Sequence, residues 1–164
     1  MTLTDHRPPI QTHVPVYTSP DTLAAVSTMF PYMVDASKAT GGGAVPSFVW
    51  NAFDPDEQFF EIPSCGNLRV IPLPVEHGKY HSGTRTGKPY ICLGFRIGDM
   101  SYISDVNQVP PETKAKIEGT RILIIDALRK LPHPSHFGFD EVLPWKMEAE
   151  SVGQRVHDVV VAGA

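Results

Sequence analysis

The sequence predicts a mixed α/β or α+β sandwich, built mostly of short β-strands with a few short helices. Three observations predict it. Sixteen prolines and 13 glycines among 164 residues exceed the average usage of about 5% and about 7%, so elements must be short and turns many, which excludes a helical bundle. Hydrophobic residues at 41% against 20% charged supply enough apolar surface for a buried core. At Pro46 the apolar spacing changes from helical to extended, so strands dominate the rest of the chain.

In chain order, the polar, proline-interrupted start is a loose lead-in. His13 to Tyr17 reads as a strand that Pro15 confines to an edge or an end. Ser19-Pro20-Asp21 is a helix start: a hydroxyl cap, proline at the first helical position and an acid in the first turn. Leu23, Val26, Met29 and Phe30 then line one helical face, which ends near Pro31. Ser37 to Ala44 is a glycine-rich surface loop; it lacks the G-K-[ST] of a phosphate cradle. Strands are expected at Phe48–Trp50, Phe59–Ile62, Leu68–Val75, Tyr90–Ile97 and Ser101–Ser104, with Gly98-Asp99 turning the last two into a hairpin. Pro111 to Ile117 is a short helix, and Arg121 to Ala127 a strand buried on both faces. A last helix begins after Gly138, with Asp140 and Glu141 in its first turn, and is interrupted by Pro144.

A net charge of −4 without a run of like charges gives no basic face for nucleic acid or an anionic membrane. No apolar stretch approaches the ~18 residues of a membrane span, and the N-terminus lacks the apolar core of a signal peptide. The two cysteines, Cys65 and Cys92, have neither disulfide-framework nor zinc-ribbon spacing. A cytoplasmic, single-domain chain is expected.

Four of the seven histidines fall in two short segments: His77 and His81 in PVEHGKYHSG, and His133 and His136 in PHPSHFG. Asp105 and Asp126 each end an apolar run, where a carboxylate is desolvated unless a metal, an arginine or a hydrogen-bonding loop meets it. Imidazole nitrogen and carboxylate oxygen suit zinc or manganese, and an aspartate can bridge two ions. By spacing alone, His77 reads as a cap of backbone groups, Asp105 as a turn-forming side chain, Asp126 as a cap on the chain entering the next loop, and His133 and His136 as surface loop residues. Lys79 and Arg85 read as solvated rather than as an anion site.

Taken together and in order, VIPLPVEHGK, YICLGFRIGDMSYISDV, ILIIDAL and PHPSHFGFDEVL resemble the carboxyl-terminal half of a metallo-β-lactamase-superfamily hydrolase. The branch they resemble is the phosphodiesterase-like one that includes phosphoribosyl cyclic phosphate phosphodiesterase. The upstream VPVYTSPDTLAAVSTMFPYMVDASKATGGG extends the resemblance, which covers roughly residues 10–143. It implies part of an αββα sandwich with two divalent metal ions, zinc or manganese, and a small phosphodiester-type substrate. It implies further that His77 is a metal ligand, that Asp105 bridges the two metals, and that His136 acts on the phosphate or the leaving group. No ligand role is implied for Asp126.

The H-x-H-x-D-H segment that supplies most of the family's metal ligands is absent from the sequence. His157 stands near the distance expected of the last ligand histidine, but its apolar run, Val159 to Ala162, follows it rather than precedes it. The expectation is therefore a fragment or truncated form of a binuclear-metal hydrolase, inactive alone, with an incomplete or absent metal site. Residues 1–143 would form the partial domain and 144–164 a divergent tail. A half-sandwich would also leave an apolar sheet face exposed, so self-association through that sheet, as a non-catalytic interaction module, is the alternative.

Overall fold

An Asp-Pro step, Asp54–Pro55, separates two units of the chain, and the computed structural model describes residues 13–41, 47–142, 145 and 158–162. In the first unit, β1 (Val14–Thr18) pairs in parallel with β2 (Phe48–Ala52). Proline at position 15 is accommodated because this sheet has two strands, each with a free edge. Between them, α1 (Pro20–Met29) starts as its sequence dictates, the Ser19 hydroxyl accepting the Thr22 N–H. None of its residues is buried, so its apolar face does not close a core. A proline-initiated turn, α2 (Pro31–Val34), follows, and the Trp50 indole N–H donates to the Met33 carbonyl, tying α2 to β2. The glycine-rich loop opens as a 3₁₀ turn at Ala36–Lys38, capped by Asp35; residues 42–46 lie outside the described ones.

The second unit is a six-stranded mixed sheet in chain order: β3 (Phe60–Ile62), β4 (Leu68–Lys79), β5 (Pro89–Ile97), β6 (Met100–Ile103), β7 (Ile122–Asp126) and β8 (Asp158–Ala162). The pairs from β3 to β6 are antiparallel, and β6, β7 and β8 run parallel. Gly98-Asp99 makes the β5–β6 hairpin turn, with Ile97 opposite Met100. The parallel step from β6 to β7 crosses over through α3 (Pro111–Ile117), whose bounds are those expected from sequence.

Strand β4 holds Pro72 and Pro74 in its middle, which a central strand rarely tolerates. The short β3 pairs only with residues 68–70, so beyond them one edge of β4 is open. Helix α3 covers that edge: Thr113 Oγ1 donates to the Pro74 carbonyl and Lys116 Nζ to the Pro72 carbonyl. The strand also runs four residues past the expected Val75, because its pairing with β5 continues through Glu76 opposite Ile91 to Lys79 opposite Pro89, and the loop after β6 meets its other edge at Glu76. Glu76 N–H donates to Gln108 O and Asn107 N–H to Glu76 O. His77 therefore sits within β4 rather than beyond it.

One sheet face carries the core, where Leu73, Val75, Ile103, Leu123 and Ile125 pack with Ile117, Val106, Phe137 and Val142. The register puts Ile91, Phe95, Met100, Tyr102, Ile122 and Ile124 on the other face. There Ile91, Met100, Tyr102 and Ile122 are exposed, 38% to 49% of each. The apolar run of β7 is accordingly not buried on both faces at its start: Ile122 is 40% exposed, Leu123 2%.

Candidate metal centre

The carboxyl ends of β4, β6 and β7 converge on one spot. His77 comes from β4, Asp105 from the turn after β6, and His136 from the loop after β7. One ligand atom from each of His77, Asp105 and His136 lies within 4.8 Å of the others, the one group of three or more His, Cys, Asp or Glu side chains so placed among the described residues. All three are partly buried. His157 lies outside the described residues.

Backbone pairing holds the three carriers together. The Phe137 N–H donates to Val106 O at 2.6 Å and Leu128 N–H to Phe137 O at 3.0 Å, stitching the His136 loop between the β6 and β7 ends. The Gly78 N–H donates to Asn107 Oδ1 at 2.7 Å, binding the strand beside His77 to the loop after Asp105. Arg129 donates to the Leu131 and Pro132 carbonyls and folds the PHPS turn back. A glycine is required at position 78, where φ is +71° and an added Cβ would meet Ser135 Oγ at 2.6 Å. Past the loop, Glu141 accepts from the Gly138 N–H at 2.6 Å, the reach-back of a helix start.

The imidazoles are oriented through their Nδ1 atoms. His77 Nδ1 lies 2.7 Å from the Ser135 carbonyl oxygen, which only accepts, so that nitrogen carries the proton and Nε2 keeps its lone pair. His136 Nδ1 lies 2.6 Å from Asp126 Oδ2. By sequence Asp126 is a capping residue or a desolvated strand-end carboxylate; in the structure it is neither exposed nor in the cluster but directly behind His136. The two site rings meet edge to face at 4.7 Å between centroids, with Tyr90 against His77 and His133 against His136.

The surrounding electrostatics discriminate among other donors. Burial, with the Asp105 charge adding to it, pushes the Cys92 thiol up and keeps it protonated, so it is a poor metal ligand. His133 is held below the ordinary imidazole range by desolvation first, then by Arg129, His136 and His77, with Asp126 opposing. His133 Nδ1 instead accepts the Ser135 N–H. His81, Lys79 and Arg85 are exposed, and Arg85 rests over the Tyr80 ring rather than at the cluster.

Two imidazoles held with Nδ1 engaged, plus one carboxylate, are a donor set that fits zinc or manganese, and a hydrogen-bonded Nδ1 is how ligating histidines are commonly fixed. Three donors suffice for one cation with open positions, not for two.

Comparison with known proteins agrees with this architecture. A diphosphatase of the PhnP family has a similar structure (TM-score 0.64), 20% identical, over 93% of this chain and 56% of that one. An isothiocyanate hydrolase from Delia radicum gut bacteria is 14% identical at TM-score 0.54, over 93% of this chain and 55% of that one. At such identities the likeness is one of fold. The octanoyltransferase of Porphyromonas gingivalis (strain ATCC BAA-308 / W83) is 28% identical over 78 residues, 47% of this chain and 14% of that protein. The chain thus spans little more than half the length of the two structures and a small part of the curated relative. The family model described as beta-lactamase superfamily domain matches residues 2–154, and the chain belongs to that superfamily.

Proposed function

We propose that this chain carries part of the site of a binuclear-metal hydrolase that acts on small phosphodiester-type substrates. The observation that supports it is the convergence of His77, Asp105 and His136 from three separate strand ends. In this reading His77 and Asp105 hold divalent cations, zinc or manganese, with Asp105 placed to bridge, and His136 acts on the phosphate or the leaving group. Bound cations would supply a water of lowered pKa and neutralise charge on the phosphoryl oxygens. The chain's own contribution is orientation: Ser135 O fixes the His77 ring, and the paired backbone of residues 106 and 137 sets the spacing of Asp105 and His136. No helix among the described residues is long and apolar enough to cross a membrane. Two free cysteines suit the cytoplasm.

Alone, the 164-residue chain should be inactive, because its clustered donors serve one cation at most. Hydrolysis of bis(p-nitrophenyl) phosphate with added zinc or manganese should not exceed that of a His77→Ala, Asp105→Ala double variant. Metal retained after dialysis, read by inductively coupled plasma mass spectrometry, should nevertheless fall in the double variant. Equal metal content in both proteins would defeat the site assignment, and clear metal-dependent turnover lost in the double variant would defeat the inactivity.

A second reading is a non-catalytic interaction module, and the exposed face bearing Ile91, Met100, Tyr102 and Ile122 favours it. Self-association through that face is measurable by size-exclusion chromatography with light scattering, and a monodisperse monomer at all concentrations would remove it.

A further inference from the structure

Among the described residues, Asp126 is the one buried ionisable side chain, 5% exposed, at the last position of β7. Burying a carboxylate is costly unless donors meet it. Here both donors meet one oxygen: Oδ2 lies 2.6 Å from His136 Nδ1 and accepts the Val106 N–H at 3.3 Å. One donor belongs to a site imidazole, and the other is the peptide directly after Asp105. The carboxylate thus holds the ring of one site residue and the peptide next to another.

We infer that Asp126 is the positioning residue of the site: its carboxylate fixes His136 as the Nδ1–H tautomer, leaving Nε2 with an open lone pair, and anchors the chain beside Asp105. An ionised carboxylate only accepts, so the proton must reside on Nδ1. A freely rotating imidazole has no such constraint and takes up the Nε2–H form as well, which removes the lone pair from the nitrogen that faces chemistry. His77 is an internal reference, since its Nδ1 is held by Ser135 O and not by Asp126. The inference rests on the reading that His136 works at this site, but it concerns only how the ring is held.

The test is long-range ¹H–¹⁵N correlation of the full chain labelled at histidine, metal-free under chelator, at a pH where the rings are neutral. His136 signals are assigned by their loss in His136→Ala. In the wild type His136 should show a protonated Nδ1 and an unprotonated Nε2. Asp126→Leu, of similar size but without an acceptor, should lose that single-tautomer pattern at His136 and leave the His77 pattern unchanged. An unchanged His136 pattern in Asp126→Leu overturns the inference. So does a change at His77 of equal extent, which marks general loss of structure rather than positioning. If Asp126→Leu does not fold, the wild-type spectrum decides: an Nε2–H tautomer of His136 overturns the inference. Neither metal nor phosphoester enters the measurement, so failure of the hydrolase reading leaves its outcome unaffected.

Discussion

At position 78 a single methyl group is too much. The backbone there has φ +71°, and a Cβ would press on Ser135, whose carbonyl orients His77. Gly78→Ala should therefore destabilise the chain by about 1–3 kcal/mol, through backbone strain together with overpacking. Urea unfolding measures this, and retained zinc should fall in parallel because the His77 anchor moves. His133 responds to acid. Its folded pKa lies below its unfolded value, so the unfolded chain binds the proton first. The stability this residue contributes is intact above the ordinary histidine value of about 6.5 and is lost as pH falls through it. Denaturant midpoints measured from pH 7.5 down to pH 5.5 (about one unit either side of 6.5) should drop less in His133→Asn than in the wild type.

Among the elements, β4 and α3 depend on one another. The strand leaves the Pro72 and Pro74 carbonyls unpaired along its open edge, and α3 supplies Thr113 and Lys116 to meet them. Arg96, on β5, fastens the far end of the helix by donating to the Lys116 and Glu118 carbonyls as well as to Gly98 O. These include the last, otherwise unpaired carbonyls of α3, where a cation is also favoured by the helix dipole. Arg96→Met keeps much of the side chain's apolar stem and removes the donors, so it should cost about 1.5–3 kcal/mol in urea unfolding. In the first unit, Ser19→Ala removes the cap of α1 and should cost about 1 kcal/mol, seen as lost helical circular dichroism at lower urea.

For the whole molecule, the two faces of the six-stranded sheet are unequal. One is closed by α3 and the segments around Phe137 and Val142, and the other leaves Ile91, Met100, Tyr102 and Ile122 in solvent. A patch of that kind promotes association. Light scattering should show a mass that rises with concentration, and Tyr102→Lys with Ile122→Lys should return the chain to a monomer while leaving its circular dichroism unchanged.

The sequence by itself determined most of the elements. By spacing alone His77, Asp105 and His136 stayed open between a metal site and ordinary cap, turn and loop residues, whereas prolines and acids marked the first turns of α1 and α3 and the Gly98-Asp99 step marked the hairpin. These signals are local: each depends on a cap, a turn or a period within a few residues. Only the tertiary structure decided what lies far apart in the chain. It carried the β4–β5 pairing past His77 to Lys79, set β8 beside β7, left Ile122 exposed, and put Asp126 behind His136. No spacing encodes those outcomes. They depend on which open strand edge and which buried carboxylate find a partner once the sheet has formed, because unpaired polar groups away from water are costly wherever their partner lies in the sequence.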